Sequence, residues 1–316
     1  PLPLVWDFGV ELESKSYAAF GQFEWNITEK LALNIGGRYS YDEKDFSFDV
    51  VTANIFVQSY NLDLSEDWNS FDPSVSLQYF LTDDAMVYAS WTSGYKSGSF
   101  QFFATTLAGA QKVADPEEVD SIEVGIKSHL FDKRLQLNAA VFEMDYRDLQ
   151  LLSLSPTGVG NTSLVLIDNA ADSTIRGFEV EVKALLSEAW SIDFGYGYLD
   201  AEFDDYIRDV QAGLDFSGNK LARSPENTFQ FALNFSQSFG SGYLDARIGY
   251  VWRDEYFFEP DNNIIDPNST QEAEGLLDGS LNLDLNNGWS VLLWGRNLTD
   301  ERYRRSVLNS EGNPQR

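Results

Sequence analysis

The sequence predicts an all-β fold, a transmembrane antiparallel β-barrel of which about twelve strands are present. Three observations lead there. Apolar and polar residues alternate with period two in segment after segment, turn-forming residues recur at two alternating kinds of connection, and aromatic residues collect at both ends of the alternating rows.

From the N-terminus, Leu31, Leu33, Ile35 and Tyr39 form the first clear row. Val75, Leu77 and Tyr79 form the next, followed by Ile122, Val124 and Ile126. Around Ala139 to Tyr146 the phase slips, which predicts a β-bulge. Phe178, Val180 and Val182 then oppose Glu179, Glu181 and Lys183. Phe229, Phe231, Leu233 and Phe235 oppose Gln230, Ala232, Asn234 and Ser236. Leu244, Ala246, Ile248, Tyr250 and Trp252 oppose Tyr243, Asp245, Arg247, Gly249 and Arg253, and Leu277, Leu281, Leu283 and Leu285 close the series. No amphipathic helix stands out.

Tight turns rich in Asp, Asn, Gly and Ser are expected near Thr28, Asp83, Asp132, Ser187, Gly240 and Asn287. Successive turns lie 47 to 55 residues apart, a structural period of one hairpin plus one long connection. The long connections are expected at 42–69, 97–116, 149–172, 203–226 and 257–274. Six hairpins make about twelve strands.

Alternation alone does not say which face is dry, since a soluble sandwich, propeller or β-helix also alternates. Strand length favours the barrel. Strands of ~11 residues, tilted by ~45°, span about 25 Å, the height of the apolar band of an outer-membrane barrel. Short turns all fall on one side and long connections on the other, as periplasmic turns and extracellular loops do. Trp25, Tyr79, Trp190, Phe239 and Trp289 lie beside the short turns, and Tyr41, Tyr95, Tyr146, Tyr198 and Trp252 near the long connections, predicting two aromatic girdles.

Composition narrows the function. Among 316 residues, 50 Asp and Glu face 22 Lys and Arg, for a net charge of −28, and this balance excludes a nucleic-acid binder. With 43% hydrophobic and 15% aromatic residues, the chain has ample surface to bury. It contains no Cys and a single His, His129, so thiolate metal sites and Cys nucleophiles are ruled out. No run approaches the ~18 apolar residues of a membrane helix. The opening PLPLVWDFGV has neither an initiator Met nor an export signal, and reads as the interior of a longer precursor.

Little here points to catalysis. His129 adjoins a tight turn and is expected to be a surface residue, with no nucleophile and base constellation beside it. Glu179, Glu181, Asp245 and Asp284 are expected on the lumen wall, keeping the interior wet. Residues 42–69 carry Asp42, Glu43, Asp45, Asp49, Asp63, Glu66 and Asp67 against Lys44 alone, without EF-hand spacing, and read as a solvated anionic loop. Residues 261–274 read the same way. Capture of a ligand then falls to loop aromatics and cations, because rigid rings give area at little entropic cost and Arg pairs with anionic oxygens. The candidates are Tyr60, Trp68, Phe100, Phe102, Phe103, Tyr206, Arg208, Arg223, Tyr256 and Phe257. No catalytic residue, metal site or cofactor is expected.

The wording of the strands also carries a resemblance. SYAAFGQFEWNITEKLALNIGGRYSYDEKDF (16–46), DDAMVYASWTSGYKSGSF (83–100) and DPEEVDSIEVGIKSHLFDKRLQLNAAVFEMDYRDLQ (115–150) resemble barrel hairpins of TonB-dependent outer-membrane receptors. IRGFEVEVKA (175–184), GYGYLDAEF (195–203), LARSPENTFQFALNF (221–235) and RNLTDERY (296–303) continue it in order. The resemblance implies a 22-stranded barrel in the bacterial outer membrane, of which 1–316 is the C-terminal part without the plug domain or the last strand. It implies capture of a scarce ligand, most often a ferric siderophore, with import energised by the TonB–ExbB–ExbD complex acting on the plug. Cobalamin, haem or oligosaccharide uptake, an ungated porin-type barrel, an adhesin and an outer-membrane hydrolase stay open as alternatives. The lack of loop His disfavours haem, which wants axial ligands.

Overall fold

The computed structural model describes residues 6–52, 59–102, 104, 106–156, 163–209, 213–264 and 268–307. Its strands are β1 (Trp6–Thr28), β2 (Leu31–Thr52), β3 (Tyr60–Thr82), β4 (Ala85–Lys96), β5 (Glu117–Leu130), β6 (Leu135–Pro156), β7 (Ser163–Leu185) and β8 (Trp190–Asp209). After them come β9 (Leu214–Asp215), β10 (Asn227–Phe239), β11 (Gly242–Arg253), β12 (Tyr256–Phe257), β13 (Thr270–Gln271), β14 (Glu274–Leu285) and β15 (Trp289–Gly295). One helical turn, α1 (Leu107–Ala110), interrupts the β4–β5 connection.

Twelve strands follow one another along a single antiparallel sheet, β1 to β8 and then β10, β11, β14 and β15. Short β9 pairs with β8, while β12 and β13 pair with each other. Every expected tight turn is found, and all six lie at one end of the sheet because each joins adjacent antiparallel strands.

The sheet has no apolar core through most of its height. Ile35, Val75, Leu77, Ile122, Val124, Val141 and Ile248 stand exposed on its outward face, a pattern that only a lipid environment makes favourable. Trp25, Tyr79, Trp190, Phe239 and Trp289 are all exposed at the short-turn end, as a girdle requires. At the opposite end Tyr95 departs from expectation. It turns inward, where it lines a hollow with Arg38 and Ser40 and its hydroxyl donates to Asp42. The inward face is polar, and at its centre Arg247 Nη1 donates to Asp193 at 3.1 Å and to Asn234 at 2.6 Å. Asn234 closes the triangle by donating to Asp193 at 2.9 Å. Glu179 and Glu181 line a neighbouring hollow.

Two expectations need correction. The bulge predicted within 139–146 lies later. Pairing of β6 with β7 runs unbroken from Leu135 to Tyr146 and shifts only between Tyr146 and Gln150, where Asp148 has a φ of 56°. The apparent slip arises because Phe142 is apolar on the inward face, where Gly177 makes room for it: a Cβ there would meet its ring at 2.6 Å. Second, most of 42–69 and 149–172 is strand, not loop. β2 and β3 stay paired from Leu31/Tyr79 to Val50/Tyr60, and β6 pairs with β7 as far as Pro156/Ser163.

These tall strands reverse polarity partway up. Along β2 the outward positions run Leu33, Ile35 and Tyr39, then Glu43, Asp45 and Asp49. The inward positions run Asn34, Arg38 and Asp42, then Phe46, Phe48 and Val50, which are buried. The same exchange occurs on β8, from outward Phe194 and Tyr198 to Asp200 and Glu202, with Ala201 and Phe203 buried inside. Outward apolar residues face acyl chains below, and outward acids face water above. This inversion marks the upper edge of the membrane.

Candidate functional site

Above that edge the inward faces form the mouth, and two apolar clusters fill parts of it. The first gathers Phe46, Phe48, Val50 and Leu62 of the β2–β3 hairpin with Phe100, Ala104 and Ala110 of the 97–116 connection and Leu166 of β7. Phe100 stacks on Phe46 with ring centroids 5.0 Å apart, and Phe102 meets Phe46 edge-on at 5.3 Å. Tyr60 packs edge-on against Phe48 and donates its hydroxyl to the Ala104 carbonyl at 2.6 Å. Burial pushes the Tyr60 pKa up to about 12. Trp68 packs on the same cluster beneath the Lys44 ammonium, 5.2 Å from the ring centroid. Lys44 donates to the Gly98 carbonyl at 2.7 Å, and burial lowers its pKa against the opposing pull of Asp42.

The second cluster joins Ala171, Phe203, Tyr206 and Phe216, with Leu149, Leu151, Leu214 and Leu221 around it. Tyr206 is fully buried, its ring 4.9 Å from Phe203 and 5.5 Å from Phe216. Burial raises its pKa, while the adjacent Arg208 guanidinium opposes the shift. Residues 213–226 are fastened to 254–264: Asn219 donates to the Pro260 carbonyl, Lys220 and Asn262 bond reciprocally, and the Arg223 amide donates to Phe257 at 2.7 Å. The hydrogen bond from Lys220 to Glu226, at 2.5 Å, raises the lysine pKa.

Cations with little neutralisation gather on this second side. Arg208 has its Nε buried without a hydrogen-bond partner. Arg223, held at a φ of 60°, places its guanidinium 5.8 Å from the Phe258 ring centroid. No salt bridge to either arginine occurs among the described residues. Nearby, Arg253 pairs with Glu274 at 3.4 Å, and the second Glu274 oxygen is buried without a partner. Tyr256 lies within the field of Glu274, Arg253 and Arg223, and its pKa is raised by burial first and Glu274 second. Among the described residues of 261–274, Asp261, Ser269, Gln271 and Glu274 are buried, so the stretch is not the wholly solvated loop expected.

The sequence candidates thus divide. Tyr60, Trp68, Phe100 and Phe102 meet in the first cluster, and Tyr206, Arg208, Arg223, Tyr256 and Phe257 occupy the second side. Phe103 lies outside the described residues. His129 is exposed at the far end beside a tight turn. Sequence reasoning missed Phe46 and Phe48, although their period-two spacing with Val50 was a signal. It also missed Gln101, Gln150 and Asn169, whose side chains secure the 97–116 connection; isolated amides leave no pattern in a sequence.

Comparison with known proteins places this architecture. The family model described as "TonB dependent receptor-like, beta-barrel" matches residues 7–298. A probable TonB-dependent siderophore receptor, PiuA of Acinetobacter baumannii, is 24% identical over 94% of the chain and 38% of its own length. The ferripyoverdine receptor of Pseudomonas aeruginosa is 24% identical over 59% of the chain and 21% of its own length. The crystal structure of the ferric yersiniabactin uptake receptor FyuA from Yersinia pestis superposes with a TM-score of 0.79 at 22% identity, covering 97% of the chain and 44% of FyuA. The chain spans less than half the length of these relatives.

Proposed function

Because the chain belongs to the TonB-dependent receptor family, matched over its β-barrel, we propose that it forms the C-terminal wall and mouth of an outer-membrane receptor importing a ferric siderophore. The ligand is captured, not chemically altered. The observation that carries the reading is the pair Arg208 and Arg223, two mouth cations free of salt bridges to the described carboxylates of a chain bearing a net charge of −28. The Arg223 guanidinium, beside Tyr256 and Phe258, suits an anionic, partly aromatic chelate, with charge-assisted hydrogen bonds giving strength and rings giving area. The relatives' names, a siderophore receptor and a ferripyoverdine receptor, support that ligand class.

Within this proposal Arg208, Arg223, Tyr256 and Phe257 contact the chelate on one side, and Tyr60, Trp68 and Phe102 border it on the other. Phe100 and Tyr206, both buried, act by stiffening the two sides. Import is energised by the TonB–ExbB–ExbD complex through a plug domain. The test is uptake of ferric siderophores labelled with radioactive iron, by cells carrying the full-length gene, with and without TonB. TonB-dependent accumulation supports the proposal. A correctly inserted barrel that accumulates no ferric chelate, but takes up cobalamin or an oligosaccharide, overturns the ligand class.

A further inference from the structure

The β4–β5 hairpin is short, with strands of 12 and 14 residues, whereas its neighbours β3 and β6 have 23 and 22. At ~3.3 Å per residue, about ten missing residues leave a notch in the upper wall between two tall hairpins. Residues 97–116 fill it. On one flank Lys44 and Tyr60 donate to the carbonyls of Gly98 and Ala104, and Trp68 lies so close to Gly98 that a Cβ would meet its ring at 2.5 Å. On the other flank three carboxamides hold the segment to β6 and β7.

Gln101, only 1% exposed, donates to the Ile167 carbonyl at 2.7 Å and accepts from the Ile167 amide at 2.7 Å, pairing with β7 as a strand backbone does. Gln150 donates to the carbonyls of Ser97 and Asp115 at 3.0 and 2.9 Å and accepts from the Ser99 hydroxyl. Asn169 donates to the Asp115 carbonyl and accepts from its amide, at 2.9 and 2.7 Å. Both ends of the segment and its middle are tied to two hairpins that β4 and β5 separate in the sheet.

We infer that residues 97–116, as far as they are described, are a fixed brace of the wall and not a moving lid. On the β6–β7 flank neutral amides make the ties, so salt does not loosen them. Breaking the Gln101 tie leaves a buried carboxamide unsatisfied, which disfavours partial release.

The test has two arms, both on the full-length receptor. In detergent, hydrogen exchange of the Ser99, Ala110 and Ala114 amides is expected to be slow, and at least tenfold faster in Gln101→Ala and in Gln101→Glu, which keeps the shape but loses the donor. Rapid exchange in the unaltered receptor overturns the brace, even if no chelate is transported. In cells, a Gln101→Cys and Ile167→Cys pair, in a receptor whose cysteines outside these 316 residues are replaced by Ser, is joined by a short bis-alkylating reagent. Uptake within twofold of the unbridged receptor is expected. Uptake lost on bridging means that the segment must move, and the inference fails. Failure of the unaltered receptor to transport any ferric chelate counts against the proposed ligand only.

Discussion

The ring of Phe100 lies against the ring of Phe46 with only 8° between their planes, although one residue belongs to a connection and the other to a strand of the wall. Both are 1% exposed, so the contact is the centre of a small core built above the membrane and not at its level. Phe46→Ala is expected to cost roughly 3–5 kcal/mol, as for other buried Phe truncations. Urea titration of the barrel folded into vesicles measures it, and a loss below about 1 kcal/mol contradicts the packing described.

Tyr60 gives a pH signature. Burial raises its pKa to about 12, so the neutral phenol is favoured in the folded state. The stabilisation is fully present below the unfolded value of about 10 and is lost as pH rises from there towards 12. The difference in tyrosinate absorbance between the unaltered protein and Tyr60→Phe is expected to titrate near 12. An amplitude near pH 10 in its place shows that the hydroxyl is open to water.

Ligand affinity should depend on charge at the mouth. Arg223→Gln and Arg208→Gln are each expected to weaken an anionic ferric chelate by roughly 10- to 100-fold, the loss of one charge-assisted hydrogen bond. Titration of tryptophan fluorescence with the chelate reads the change. Equal affinity in the double variant moves the binding site elsewhere.

The outward face can be checked directly. Val124→Arg, near mid-height on that face, is expected to destabilise the barrel by about 2–4 kcal/mol in lipid. Ser90→Arg, pairing in register with Glu123 on the inward face, should change stability little. Similar costs for the two would mean that the faces are misassigned.

The hairpins were legible because their chemistry is local: Asp, Asn, Gly and Ser set each tight turn, and period-two rows set the faces. The tall hairpins were not. Above Tyr41 the outward residues become acids and the inward ones Phe46 and Phe48, so a rule tying apolar residues to one face ends the strand too early. Burial at 261–274 was hidden as well, since Asp261 and Glu274 read as solvated until 213–226 is seen folded over 254–264. Of the mouth, the aromatic and cationic membership could be read, but not the division into a braced side and a charged side. That division depends on β4 and β5 being short, and on amide ties that join distant segments.

The reversal of polarity along β2 and β8 also fixes something that alternation leaves free. In an ordinary two-faced sheet a strand slipping by two residues keeps its sidedness and loses little. Here the same slip would carry Glu43 or Asp200 down among acyl chains, or lift Tyr39 out of them. Each tall strand therefore records its elevation as well as its orientation, like a gauge engraved along its length, and the lipid reads it during insertion.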